Sequence, residues 1–276
     1  MKLSYSENPA TKELPEGFYY ISQDNYYIAN LNSPNSDKPE KYLYSDSATS
    51  CVIVIVEGKD KNGNPIVALS HLSRTERFLK FFEIVAATFA GTTNVFAQGA
   101  NPPSPGYSSE TNKYSYDALQ NQQTVINWVN DHMYVPSSGG TPPNWYIEQS
   151  SLALGTGNPQ LGHRSCFGVD LETMIVSNQE FELTSVQRDP TLGSQVLYCV
   201  FGLNVTPKIV LQHSTVPFNR GQIEALVTEA VSQGWLDILG MTKDELLNKY
   251  SSTPMYEVPW FFGLLRESAN YVKNNQ

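Results

Sequence analysis

Apolar residues in this chain fall in short runs separated by Gly, Pro, Asn and Ser, and only a few stretches carry helical periodicity. Val52–Val56 (VIVIV) lacks alternation and predicts a strand buried on both faces. Asn62-Gly63, within the polar segment GKDKNGN, is a tight-turn pair, so Pro65–Ser70 is expected to return antiparallel. GFYYIS and NYYIAN, on either side of Gln23-Asp24, predict a short aromatic hairpin, and polar residues 1–16 a loosely held arm. Glu76–Ala90 is apolar on all sides and predicts a buried helix ended by Gly91. Thr93–Gln98 reads as a short strand, and Ala118–Met133 as an amphipathic helix with Leu119, Ile126, Val129 and Met133 along its stripe.

Further on, Trp145–Gln149 reads as a strand, and Arg164–Asp170 with Thr173–Ser177 as a hairpin about Leu171-Glu172. Strand-like runs follow at 180–186, 195–203 and 207–213. Gly221–Leu239 carries the cleanest helical pattern, with Asn219 as its cap, and Thr242 with Glu245 matches a capping box opening another helix. The aromatic segment EVPWFFGLLRESANYVK is expected to dock on the body. Residues 101–117 and 136–144 are loops by composition, and there is no internal repeat.

With 276 residues, 40% hydrophobic and 12% aromatic, the chain has material for one large or two modest folded domains. A formal charge of −9 argues against nucleic acid or an anionic membrane as the main partner. No run of about 18 apolar residues exists, so no membrane span is expected. The N-terminus lacks the apolar region of a secretory signal, which fits the bacterial cytoplasm or export without a cleaved signal into a host cell cytosol. Three cysteines, Cys51, Cys166 and Cys199, make no disulfide framework. His163 and Cys166, three apart, do not amount to a metal site and read as structural residues. Neither metal nor cofactor is expected.

Candidate chemistry centres on Ser45–Arg74. Cys51 precedes the VIVIV strand and His71 closes the returning one, so an Asn-Gly hairpin brings a thiol and an imidazole to the same edge. That pair is the minimum equipment for a cysteine nucleophile. Against it stands the plain alternative that Cys51, beginning a hydrophobic strand, is core. Cys199, inside QVLYCVFGL, reads as core, Cys166 as a strand residue, and His163 with Arg164 as candidate lining of a cleft.

Ser45-Asp-Ser-Ala-Thr-Ser-Cys51 followed by VIVIV resembles the nucleophile segment of the CheD-type glutamine deamidases, and Ala68-Leu-Ser-His71-Leu resembles their histidine segment. NVFAQGAN (94–101), NQQTVINWVNDHM (121–133) and residues 145–177 resemble, in order, the family's strand ending in Gly-Ala, its helix and its closing strands. The same Cys-His core is shared by two deamidating toxins, the cytotoxic necrotizing factor catalytic domain and the Burkholderia lethal factor. Two departures stand out. Ala48-Thr49-Ser50 replaces the glycine usual before the cysteine, and the loops at 101–117 and 136–144 are longer than in the chemotaxis enzymes. The longer loops favour the toxin-like branch.

The resemblance implies a protein-glutamine deamidase: Cys51 attacks the side-chain carboxamide, His71 acts as base and acid, and a thioester is hydrolysed. It gives Ser45, where relatives have threonine, the role of orienting the imidazole, with Asp46 as a rival. Backbone N–H groups around Ser50 and Cys51 are the expected oxyanion donors, and the imidazole is expected to lower the thiol pKa as an ion pair. The partner implied is a protein presenting an exposed glutamine, in the toxin case a host protein. Alternatives are an inactive binding module on the same scaffold, a thiol peptidase, or a transglutaminase. The fold expected is α+β, a β-sandwich of mixed sheets flanked by helices, with 1–40 as N-terminal arm and hairpin, 41–178 as Cys-His core and 179–276 as a C-terminal extension packed on it.

Overall fold

The computed structural model describes residues 1–5, 9–34, 39–101, 113–134, 141–156, 165–251, 254 and 257–276. The chain is α+β, with two mixed β-sheets flanked by helices. It divides into two compact units, Met1–Glu182 and Leu183–Gln276, each taken by itself below.

The strands and helices of the first unit are β1 (Lys2–Ser4), β2 (Phe18–Tyr20), β3 (Asn25–Asn30), β4 (Tyr42–Ala48), β5 (Val52–Asp60), β6 (Pro65–Leu72), α1 (Thr75–Thr88), β7 (Phe89–Gly99), α2 (Lys113–His132), β8 (Trp145–Leu154), β9 (Ser165–Asp170) and β10 (Ile175–Ser177). One sheet has the order β1-β10-β9-β4-β2 and the other contains β3-β6-β5-β7-β8. Ile53, Ile55, Val67, Leu69 and Phe96 of the second sheet share one buried cluster with Leu43, Phe167, Val169 and Val176 of the first. The two sheets therefore face each other across a common core, as a sandwich requires. Val52–Val56 are fully buried in β5, which pairs antiparallel with both β6 and β7. At roughly 1.5–3 kcal/mol per large apolar side chain, burial of this one segment contributes on the order of 10 kcal/mol. Asp60 receives the N–H groups of Asn62 and Asn64 while Gly63 adopts φ +84°, so the tight turn forms where the Asn-Gly pair predicts it.

Several local expectations do not hold. GFYYIS and NYYIAN do not pair as a hairpin: β2 lies parallel to β4, while β3 lies antiparallel to β6 in the opposite sheet. The chain changes sheets at Ser22–Asp24, and Asp24 takes φ +60° to make the change. Nor is the N-terminal segment a free arm, since β1 pairs with β10 and Thr11 bridges Phe181. Helix α1 is one-sided: Phe78, Phe81, Phe82 and Val85 are buried, while Leu79 is 54% exposed. It ends at Thr88, and Gly91 lies within β7. Helix α2 buries Ala118, Asn121, Val125, Trp128 and Val129, whereas Leu119 and Met133 of the predicted stripe are exposed. Its inner side is set by aromatic packing, with the Trp128 ring stacked 4.0 Å from Phe82 of α1. Most of 101–117 and of 136–144 lies outside the described residues.

The second unit is helical: α3 (Ser185–Arg188), α4 (Ser194–Phe201), α5 (Arg220–Ser232), a 3-10 turn at Trp235–Gly240, α6 (Lys243–Tyr250) and α7 (Phe261–Asn274). The strands expected at 180–186 and 195–203 are absent. Phe181 makes only an isolated bridge, Ser185–Arg188 is helical, and Leu197, Tyr198 and Phe201 of α4 pack at helical spacing into a core with Leu226, Trp235 and Leu265. Of 207–213 only Gln212–His213 is strand. β-branched and aromatic residues lean towards strands only where a pleated surface receives them; in a helical core packing overrides that bias. Asn219 and Thr242 cap α5 and α6 in capping boxes with Gln222 and Glu245. The helix predicted to reach Leu239 stops earlier because Gly234 turns left-handed at φ +70°.

Candidate active site

Three short segments of the first unit build the site: the end of β4 with the turn into β5, the end of β6, and the end of β7. Ser45 lies opposite Phe167 of β9, a core residue, so its hydroxyl faces the space between the sheets. The pairing of β4 with β9 then shifts register before Ala48, and Ser47 takes φ +60°. That bulge supplies a sharp bend just before the cysteine turn, and Thr49 and Ser50 need no left-handed backbone.

The Thr49–Cys51 turn is buried and its carbonyls are held by three different residues. The Asn101 N–H donates to Thr49 O at 2.6 Å and the Ala100 N–H to Cys51 O at 2.8 Å. Asn121 Nδ2, from α2, donates to Ser50 O at 2.8 Å and also to Ser73 O at 3.1 Å, so one side chain ties the cysteine turn to the segment following His71. Asn101 Nδ2 donates to Ser165 Oγ at 3.0 Å. Gly99 makes this approach possible: a Cβ there would lie 2.2 Å from Cys51 O, and its φ is +132°. None of Gly99, Asn101 or Asn121 stands out in the sequence as a site residue, because their partners lie roughly 50 or more residues away along the chain.

His71 stands directly opposite Ile53, and Cys51 lies two residues before Ile53. Both Cys51 and Ile53 belong to the inter-sheet core, so thiol and imidazole share one face. Diagonal neighbours on such a face are about 7–8 Å apart between Cα atoms, within reach of an imidazole. Ser45 Oγ lies 2.9 Å from His71 Nδ1 and donates to Ile21 O at 2.7 Å. A hydroxyl has one proton and the carbonyl can only accept, so Ser45 receives its second bond from Nδ1–H. That assigns the tautomer and leaves Nε2 as a bare acceptor; Nε2 is buried without a hydrogen bond. Of the two proposed orienters Ser45 meets the imidazole, whereas the Asp46 carboxylate receives the Tyr20 hydroxyl at 3.1 Å.

Burial pushes the His71 pKa down to about 4, with the charges of Asp24 and Asp46 opposing the shift. The imidazole is therefore neutral at pH 7, and an imidazolium resting state, expected from the sequence, is not what this environment favours. The end of β6 is anchored by Asp24, whose N–H donates to His71 O at 2.6 Å. Its Oδ1 receives the Ser73 N–H at 3.0 Å, and Arg77 Nε lies 3.6 Å from Oδ2 with both side chains fully buried.

The remaining cysteines occupy other settings. Cys166, on β9, donates to Asn178 O at 2.9 Å, and burial pushes its thiol up to about 12, which keeps it inert. Cys199 is half-buried on α4 against the core of the second unit. His163 and Arg164 lie outside the described residues. Among the described residues no group of three or more His, Cys, Asp and Glu could hold a metal ion, and no helix is long and apolar enough to cross a membrane. No protein-family model matches the chain, and no curated protein matches it.

Proposed function

We propose that the first unit is a protein-glutamine deamidase of the Cys-His type, as a bacterial toxin or effector acting on a host protein. The observation that carries the reading is the hydrogen bond between Ser45 and His71 Nδ1, which leaves Nε2 unprotonated on an imidazole that shares its sheet face with Cys51. Nε2 removes the Cys51 proton as Sγ bonds to the carboxamide carbon, and the carbonyl oxygen takes up the electron pair. The imidazolium then gives its proton to the departing nitrogen, the C–N bond breaks, and ammonia leaves a thioester. A water molecule, deprotonated by Nε2, adds to the thioester; the C–S bond breaks, the thiolate recovers the proton, and glutamate remains.

A neutral buried imidazole suits this sequence, because the proton moves only when the nucleophile attacks. Asp24 and Asp46 oppose burial and so favour the imidazolium that forms in transit. The support from sequence is the ordered resemblance across about residues 41–178.

The test is mass spectrometry of host-cell lysate treated with wild type or Cys51→Ser, seeking glutamines converted to glutamate. Conversion that depends on Cys51 and His71 is expected. Cleaved main chain instead of altered side chains would identify a peptidase, and incorporated amine a transglutaminase. A biological effect that survives Cys51→Ser unchanged sinks the enzyme reading and leaves the binding module.

A further inference from the structure

On the inner face of the second sheet, His71 of β6, Ile53 of β5 and Gln98 of β7 lie directly opposite one another in one row. Side chains so paired stand on the same side of a sheet. Ile53 and Phe96, the latter two residues before Gln98, both belong to the inter-sheet core, which places Gln98 on the inner face as well. Cys51 therefore sits at the end of the middle strand, flanked by His71 on one side and Gln98 on the other. Gln98 Oε1 is buried with no hydrogen bond. A buried carboxamide atom without a partner, among apolar neighbours and beside a nucleophile, is poorly explained by packing, since an apolar side chain of similar size would fill the position without that penalty.

We propose that Gln98 is a further catalytic residue, the side-chain donor of the oxyanion hole. The proposal rests on the reading of Cys51 as nucleophile. When a carbonyl carbon bonds to Sγ, its departing group must face the base, which lies on the β6 side. The oxygen that becomes negative then faces the β7 side, where Gln98 stands. A half-turn about the last side-chain bond exchanges Oε1 and Nε2, so the amide can present N–H to that oxygen. A neutral amide donates at every working pH, so the contribution does not depend on a titrating group.

The full chain is assayed with two probes. Acylation of Cys51 by 4-nitrophenyl acetate, read as a nitrophenolate burst and by mass spectrometry of the Cys51 peptide, passes through an oxyanion. Alkylation by iodoacetamide does not. Gln98→Ala and the near-isosteric Gln98→Met are each expected to slow acylation tenfold or more, in line with the roughly 10²–10³-fold cost of losing one oxyanion donor, with alkylation changed less than about threefold. Wild-type acylation rates in either variant overturn the proposal, as does a parallel fall in both reactions, which marks Gln98 as structural. A native Cys51 that reacts with neither probe overturns the nucleophile reading itself, and Gln98's role with it.

Discussion

The clearest physical consequence of the site is the acid response of His71. An ordinary imidazole titrates at 6.5, and burial here takes the folded value down to about 4. Between those two values the unfolded chain binds a proton that the folded chain refuses, so stability rises with pH across that window. The contribution is fully present above pH 6.5 and is lost as pH falls towards 4. At about 1.4 kcal/mol per pH unit, the whole gap corresponds to about 3 kcal/mol. At pH 7 only about one folded molecule in a thousand carries the imidazolium. The direct assay is an NMR titration of the His71 ring proton, identified by its absence in His71→Asn; three other histidines serve as internal comparison. The energetic assay compares urea midpoints of wild type and His71→Asn at neutral and acid pH, so that the many carboxylates cancel. Wild type should lose about 3 kcal/mol more than the variant. A His71 signal titrating near 6.5, or identical pH dependence in the two proteins, refutes the reasoning from burial.

Two further outcomes follow from the geometry. Ser45→Ala removes the hydroxyl that serves both Ile21 O and His71 Nδ1, so it should cost about 2 kcal/mol in chemical denaturation, and it should slow Cys51 alkylation less than His71→Ala does, with Ser45→Thr restoring much of the rate. Gly99→Ala drives a Cβ into Cys51 O and should destabilise the first unit by about 3 kcal/mol or more, whereas Gly63→Ala, with open space around it, should cost only about 1 kcal/mol for its left-handed backbone; equal midpoint shifts in the two variants would show that the close approach at Gly99 does not matter.

Local chemistry made part of this fold legible and hid the rest. The doubly buried β5 and the Asn62-Gly63 turn were readable because each depends on residues within a few positions of itself. The caps at Asn219 and Thr242 were readable for the same reason. β2 and β3 were misread because a two-residue gap between aromatic runs signals a hairpin, and nothing local says that the chain is crossing between sheets. α4 was misread because Val, Tyr, Cys and Phe carry strand preference wherever they stand, and only the surrounding helical core decides otherwise. Cys51 and His71 were visible from spacing, but the partner of His71 lies 26 residues back on the opposite sheet and was named only through resemblance. Asn121, which ties the cysteine turn to Ser73, gives no local signal at all.

The Ser45–His71 bond joins strands of opposing sheets, and this makes the site a gauge of docking. Each sheet alone can complete its own ladder, yet neither alone holds the assembled site: one brings His71, the other the Ser45 hydroxyl that sets its tautomer. A chain whose strands have paired but whose sheets have not closed on each other has an imidazole free to rotate and to protonate in water. The Ser45–His71 bond thus forms only as one sheet packs on the other, and the protonation of that imidazole reports whether the packing is complete.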